Sequence, residues 1–370
     1  MLADSLTDLL PRLAEREARD PESYPAESVA DLKACGFFGA PFSPALGGVG
    51  ATLADCVLAI EQLATATPSL ALMASMPLGL AGSFYGAGAG VAPAAHRASW
   101  AEQIDRAAAA YRAGDLFAAC NSEKGAGGSL DATRTLAAKD GAGRWLITGE
   151  KILASSGKHA DWFYSTAKVD PAELPGAGVV EFFLVSPRAP GVEILDDWDG
   201  FGMRSSESQT VRYTQAPAQE LLGFPDFIAT VQPLQYFFCL FAAIPLGCAH
   251  SILRALGTPA PSSPALRLRL SEAAMRYEAM RAYLLETARE WRPAAPPAYR
   301  AQVLRTKTYV TQEATKLSAE LFALSGGRHY RRSGAVARAL ADSFAGTALR
   351  PPLPLGLDTL VDQFSLGEAE

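Results

Sequence analysis

Histidine and cysteine are scarce in this chain, and neither is spaced to hold a metal. Only four histidines occur, with no H-E-x-x-H or related pattern, so no metal site is expected. The five cysteines, Cys35, Cys56, Cys120, Cys239 and Cys248, show no C-x-x-C pairing and lie in apolar surroundings. That pattern fits reduced, buried thiols better than disulfides. A basic block is missing as well: the net charge of −6 is spread along the sequence, which argues against a nucleic-acid partner. No uninterrupted apolar run reaches the ~18 residues of a membrane span. The first residues, "MLADSLTDLLPRLAERE", lack the apolar centre of a signal peptide. These absences lead us to expect a soluble, cytoplasmic protein.

Phosphate-binding signatures are absent too. The stretch "NSEKGAGGSLDATRTLAA", residues 121–138, sets glycines beside Lys124 but puts the lysine first. It therefore matches neither G-x-x-x-x-G-K-[ST] nor G-x-G-x-x-G. Taken alone it is a turn, and its role depends on its neighbours.

What the chain does have is apolar bulk, 49% hydrophobic against 19% charged over 370 residues, enough for a large core in two or three domains. Helical spacing marks "SVADLKACGFF" and "TLADCVLAIEQLATA". The low-charge run "SLALMASMPLGLAGSFYGAGAGVAPAA" is too apolar for a surface helix and should face a core or a ligand. From about residue 119 short β-branched and aromatic runs take over: "RWLITGEKILAS", "ADWFYSTAKV", "VVEFFLVSP" and "QTVRYTQAP". Their spacing predicts a small antiparallel barrel or sandwich. Beyond about residue 230 long helical patterns return, broken by "GTPAPSSP" and "RPAAPPA", as in a four-helix bundle. The expected fold class is α+β: a helical domain (1–118), a β-barrel (119–229) and a C-terminal bundle (230–370).

That order and its wording resemble the acyl-CoA dehydrogenase family over nearly the whole chain. The family's T-E-P-G-A-G-S-D loop and following T-x-A strand are similar to "SEKGAGGS" and "TLA". Its G-E-K strand resembles "GEKILASSGKHADWF", and its GMR turn resembles "GMRSSESQTVRY". Its late GG turn, with an aspartate on the next helix, resembles "GGRHY" and Asp342. The resemblance implies FAD at the domain seam and an acyl thioester of CoA or carrier protein passing the flavin. It also implies a homodimer or tetramer, or a heteromer with a homologous subunit, with electron-transferring flavoprotein as a further partner. By positional match, Asn121, Ser122, Gly127 and Gly128 would line flavin and substrate. Leu153 and Ser155 would stand in the Trp-x-Thr trio that covers the ring. Gly326 and Gly327 would approach the neighbouring subunit's FAD.

Two family features are absent. The positions that carry the catalytic glutamate in family members match Arg350 and, in a subset, Phe237. The arginine motif that holds the FAD pyrophosphate is replaced by "RALGTPAPSSPALRLR", and Ala323 stands where a glutamine usually precedes the GG turn. Replacement bases to consider are His329, Glu123, Asp358 and Asp362; the basic "GRHYRR" turn is a replacement phosphate contact. Catalytic residues stay unassigned, and three readings stay open. They are an acyl-CoA dehydrogenase with an unusual base, a non-catalytic subunit of a heteromeric dehydrogenase, and a flavin monooxygenase on the same fold.

Overall fold

The computed structural model describes residues 2–363. Six helices come first: α1 Leu2–Thr7, α2 Leu10–Arg19, α3 Ala26–Ala34, α4 Leu53–Ala64, α5 Pro68–Gly79 and α6 Arg97–Ala113. Helix α4 starts where a capping box forms. The Asp55 N–H donates to Thr52 Oγ1 (3.2 Å), and the Thr52 N–H donates to Asp55 Oδ2 (3.0 Å), an arrangement worth about 1 kcal/mol. Helix α5 is apolar all round and every one of its residues is buried. It packs so closely on later helices that a side chain at Gly79 would run into the Phe237 ring. The apolar stretch thus faces both destinations expected of it, a core and, through Leu72 and Met76, a pocket.

Eight strands follow: β1 Phe117–Cys120, β2 Leu136–Lys139, β3 Trp145–Ala154, β4 Trp162–Val169, β5 Glu181–Val185, β6 Val192–Ile194, β7 Gln209–Pro217 and β8 Glu220–Leu222. They form one sheet ordered β6-β7-β3-β2-β4-β5-β8, with β1 attached to β4. The four runs legible in the sequence are β3, β4, β5 and β7. The other four strands are only three or four residues long, too short for an alternating pattern to show. Two pairings, β1–β4 and β2–β4, are parallel. Strand β4 pairs β1 through Trp162–Ser165 and β2 through Lys168–Val169, so it spans both halves of the sheet.

The chain then returns to helix: α7 Phe227–Val231, α8 Leu234–Gly257, α9 Pro264–Arg289, α10 Pro297–Leu324, α11 Ala335–Ser343, α12 Ala345–Ala348 and α13 Leu353–Gln363. Ser263 caps α9 by accepting the Leu266 N–H at 3.3 Å, directly after the Pro-rich connector. Two segments, Pro68–Ala87 and Leu234–Gly257, are long and apolar enough to cross a membrane, yet are 89% and 78% buried within the fold. They are central core helices. One hydrophobic core runs from the N-terminal helices into the C-terminal ones, while the inner face of the sheet forms a second. Cys56, Cys120, Cys239 and Cys248 are buried thiols, whereas Cys35 is exposed on the turn after α3, where burial of all five was expected.

Candidate active site

A pocket of about 300 Å³ opens where the N-terminal helices, the sheet and the C-terminal helices meet. Its walls are Leu72 and Met76 from α5, Tyr164 and Thr166 from β4, Phe182 from β5, and Phe237, Phe238 and Phe241 from α8. Trp198, Phe201 and Met203 come from the turn before β7, and Phe344, Leu349 and Arg350 from around α12. Flat apolar walls with a few polar groups are the usual make-up of a small-molecule site.

Of the positions expected to line a flavin, the structure brings four together here: Asn121, Ser122, Leu153 and Ser155. Asn121 Oδ1 accepts the Thr166 N–H at 3.0 Å, which turns its amide nitrogen free. The Ser122 carbonyl accepts the Ile152 N–H at 2.8 Å, stapling the end of β1 to β3. Leu153 holds φ +60° at a bulge in β3 and is half exposed. A left-handed leucine costs about 1–2 kcal/mol, and such strain persists where the surroundings enforce it. The bulge re-aims the strand so that both Leu153 and Ser155 reach the pocket. Ser155 Oγ lies 2.9 Å from Ser208 Oγ, which is 2.7 Å from Ser206 Oγ, a short chain of hydroxyls ending in the pocket.

Gly127 and Gly128 fall just outside the walls. Both have positive φ (58° and 86°), and a side chain at Gly128 would collide with Pro352, so Gly128 lets the loop pack against the segment that follows Arg350. Gly326 and Gly327 stand apart from the pocket on the turn after α10, with nothing near enough to oppose a side chain.

Of the bases considered from the sequence, Glu123, His329 and Asp358 do not line the pocket. Glu123 is buried and fully engaged: it accepts from Lys151 Nζ (2.6 Å), the Arg134 N–H (2.6 Å), the Thr135 N–H (3.2 Å) and Thr135 Oγ1 (2.7 Å). Burial pushes its carboxyl upward, but Lys151 and these donors hold it below its ordinary value. His329 accepts from Arg328 Nε at 2.8 Å on the same distant turn. Asp358 is exposed on α13, and the side chain of Asp362 lies outside the described residues. Asp342 is buried, receives the Met203 N–H at 2.6 Å, and so anchors the GMR turn. In the "GRHYRR" turn, Arg332 meets Glu22 at 3.2 Å, as does Arg204 at 2.7 Å.

Both family base positions do line the pocket, as Phe237 and Arg350. Arg350 donates, among the described residues, only to the Asn121 carbonyl, at 3.4 Å. Among the described residues no carboxylate lies within ion-pair distance of it. Burial pulls its guanidinium down to about 10, with Glu123 opposing. What sequence reasoning missed is the clamp behind it. The buried Lys307 ammonium donates to the carbonyls of Gly346 (3.0 Å), Leu349 (2.8 Å) and Pro351 (2.5 Å), fixing the backbone on both sides of Arg350. No local pattern marks Lys307, one of two lysines on α10. Tyr164 is the other titratable wall residue, and burial pushes its phenol well above its ordinary value.

A flavin fits these residues. The free Asn121 amide and the Ser122 and Ser155 hydroxyls supply polar contacts for a ring edge, and the phenyl groups supply flat walls. A dinucleotide is less well provided for. The connector between α8 and α9 carries no arginine; of those flanking it, Arg267 on α9 donates to the carbonyls of Pro261 (3.0 Å) and Ser262 (2.7 Å), and Arg254 is exposed on α8.

Three family models match the chain in succession: acyl-CoA dehydrogenase N-terminal domain over residues 4–92, middle domain over 118–216 and C-terminal domain over 241–349. An L-evernosamine nitrososynthase from Micromonospora sp. is 34% identical over 227 residues, 60% of this chain and 51% of that protein. The match therefore spans about half of that relative's length. A probable acyl-CoA dehydrogenase from Bacillus subtilis is 24% identical over 337 residues, covering 86% of this chain and 84% of the relative. Among solved structures, KijD3 in complex with FMN and a dTDP-linked amino-keto sugar superposes with a TM-score of 0.83 at 24% identity, covering 98% of this chain and 92% of that one. FMN-bound TdsC from Paenibacillus sp. A11-2, a dibenzothiophene monooxygenase, gives a TM-score of 0.80 at 21% identity, with 98% and 96% coverage. At these identities the superpositions establish the fold.

Proposed function

Because this chain belongs to the acyl-CoA dehydrogenase family, whose members include flavoprotein dehydrogenases and oxygenases, we propose that it is a flavin-dependent monooxygenase that uses FMN. The observation that carries this reading is the wall of the pocket: among the described residues it holds no carboxylate and no histidine, and the two family base positions are Phe237 and Arg350. Removing an α-proton from an acyl thioester needs a base within hydrogen-bond reach, and none is there. Oxygenation needs no such base. The lack of a pyrophosphate arginine, together with FMN in two structural neighbours, supports FMN over the FAD that the family resemblance implies.

When bound, a reduced flavin supplies two electrons to dioxygen, so that one oxygen atom passes to the substrate and the other leaves as water. The chain's own residues do the rest. Asn121 and Ser122 hold the ring through the free amide and hydroxyl. Leu153 covers it from the β3 bulge without the stacking an aromatic residue would give. The Ser155–Ser208–Ser206 hydroxyl chain holds a proton at Ser155 Oγ, where it can be passed on. Phe237, Phe241 and Phe344 keep water from the reacting face.

The test is a titration of the purified protein with FMN and FAD, oxidised and reduced, followed by anaerobic addition of acyl thioesters. FMN should bind more tightly than FAD, reduced flavin should be reoxidised by dioxygen, and no thioester should bleach the bound flavin. Bleaching by an acyl thioester would overturn the monooxygenase reading in favour of a dehydrogenase with an unrecognised base.

A further inference from the structure

Among the described residues, Arg350 is a cation without a counter-charge at ion-pair distance. Glu123, the acid whose charge acts on it, is already neutralised by Lys151 at 2.6 Å, so this group of three, with Arg350 half-buried at the pocket wall, keeps one net positive charge. An uncompensated buried charge is costly, and the fold adds to that cost by clamping the segment with a second buried cation, Lys307. An ionisable group displaced from its ordinary range in a cleft marks a functional position. The chamber's largely apolar wall includes the aromatic residues Trp198, Phe237, Phe238, Phe241 and Phe344.

We infer that Arg350 anchors a carboxylate carried by the substrate, so that the chamber takes an organic monoanion with a flat apolar body. This rests on reading the pocket as the substrate chamber of a flavin enzyme. Among the described residues Arg350 is the one cationic side chain in the pocket wall, and its guanidinium presents the paired N–H donors that a carboxylate accepts.

The test uses the full chain freed of flavin, with Trp198 in the pocket wall as the fluorescent reporter. Phenylacetate, its neutral counterpart phenylacetamide and phenyl phosphate serve as probes at up to millimolar concentration, with FMN titrated separately. Phenylacetate should bind roughly tenfold or more tightly than phenylacetamide, the difference expected of one charge-assisted hydrogen-bonded contact. Arg350→Gln should abolish that ratio and leave FMN affinity within about twofold; Arg350→Lys should restore part of the ratio. Circular dichroism of both variants shows whether they are folded.

Equal binding of acid and amide by the wild type, or no binding of either, would overturn the inference. So would tighter binding of phenyl phosphate, or a ratio unchanged in Arg350→Gln alongside lost FMN affinity, which would give the arginine to the flavin. Failure of FMN to bind, with the carboxylate preference intact, would refute the monooxygenase reading and leave the anion anchor standing.

Discussion

Truncating Glu123 to alanine should unfold the pocket floor rather than disable a catalytic base. The carboxylate is 5% exposed and its partner Lys151 is fully buried, at 2.6 Å. Removing the acid strands the ammonium and unpairs the Arg134 and Thr135 N–H groups and the Thr135 hydroxyl. Breaking a buried pair costs about 3–5 kcal/mol, and each orphaned donor costs about 1–3 kcal/mol where water cannot reach it. These terms overlap, because one enlarged cavity admits water to all of them, so a total loss of about 4 kcal/mol is expected. Lys151→Met should cost less, about 2 kcal/mol, since the carboxylate keeps its three other donors. The double variant should be more stable than the sum predicts by about 2 kcal/mol, the coupling of a pair in contact.

Urea unfolding followed by circular dichroism measures these values, provided the slopes agree among variants. The pair also fixes an acid limb. Glu123 is depressed when folded, so its stabilisation is present above its unfolded pKa of about 4.3 and disappears as pH falls through the lower folded value. Glu123→Ala should therefore lose less stability than the wild type on acidification below about pH 4. A variant within about 1 kcal/mol of the wild type that had nonetheless lost activity would refute this account and return Glu123 to the chemistry.

Two further outcomes follow from buried groups elsewhere. Burial and repulsion raise Glu17 to about 7, and burial raises Asp342 to about 6. Acids raised on folding favour the native state at low pH and lose that advantage as pH rises through the folded values. Asp342→Asn keeps an acceptor for Met203 and removes the charge, so its melting temperature should exceed that of the wild type by most near pH 7–8 and converge towards pH 5. A constant offset across that range would refute the assignment. Gly79→Val should cost about 1–3 kcal/mol through overpacking, because its side chain meets the Phe237 ring. Adding Phe237→Ala should recover part of that loss; if thermal denaturation shows none, the two residues do not oppose each other.

The order of helices, strands and helices was open to reading because it is written in local periodicity. Helix α4 announces itself by apolar spacing, and β3 and β7 by long β-branched runs. Asn121, Ser122, Leu153 and Ser155 were placed by the family wording around them, and they do converge. The three- and four-residue strands β1, β6 and β8 were hidden because pairing, not propensity, makes them extended, and β2 was reached only through the family's T-x-A strand. Sequence could show that Arg350 and Phe237 replace an acid, but not what they do instead. That depends on Lys307 reaching across to hold the Arg350 backbone and on Glu123 being already spent on Lys151. Local pattern decides how a segment coils or extends; burial and charge compensation depend on what every other segment brings alongside, and only the folded chain settles that.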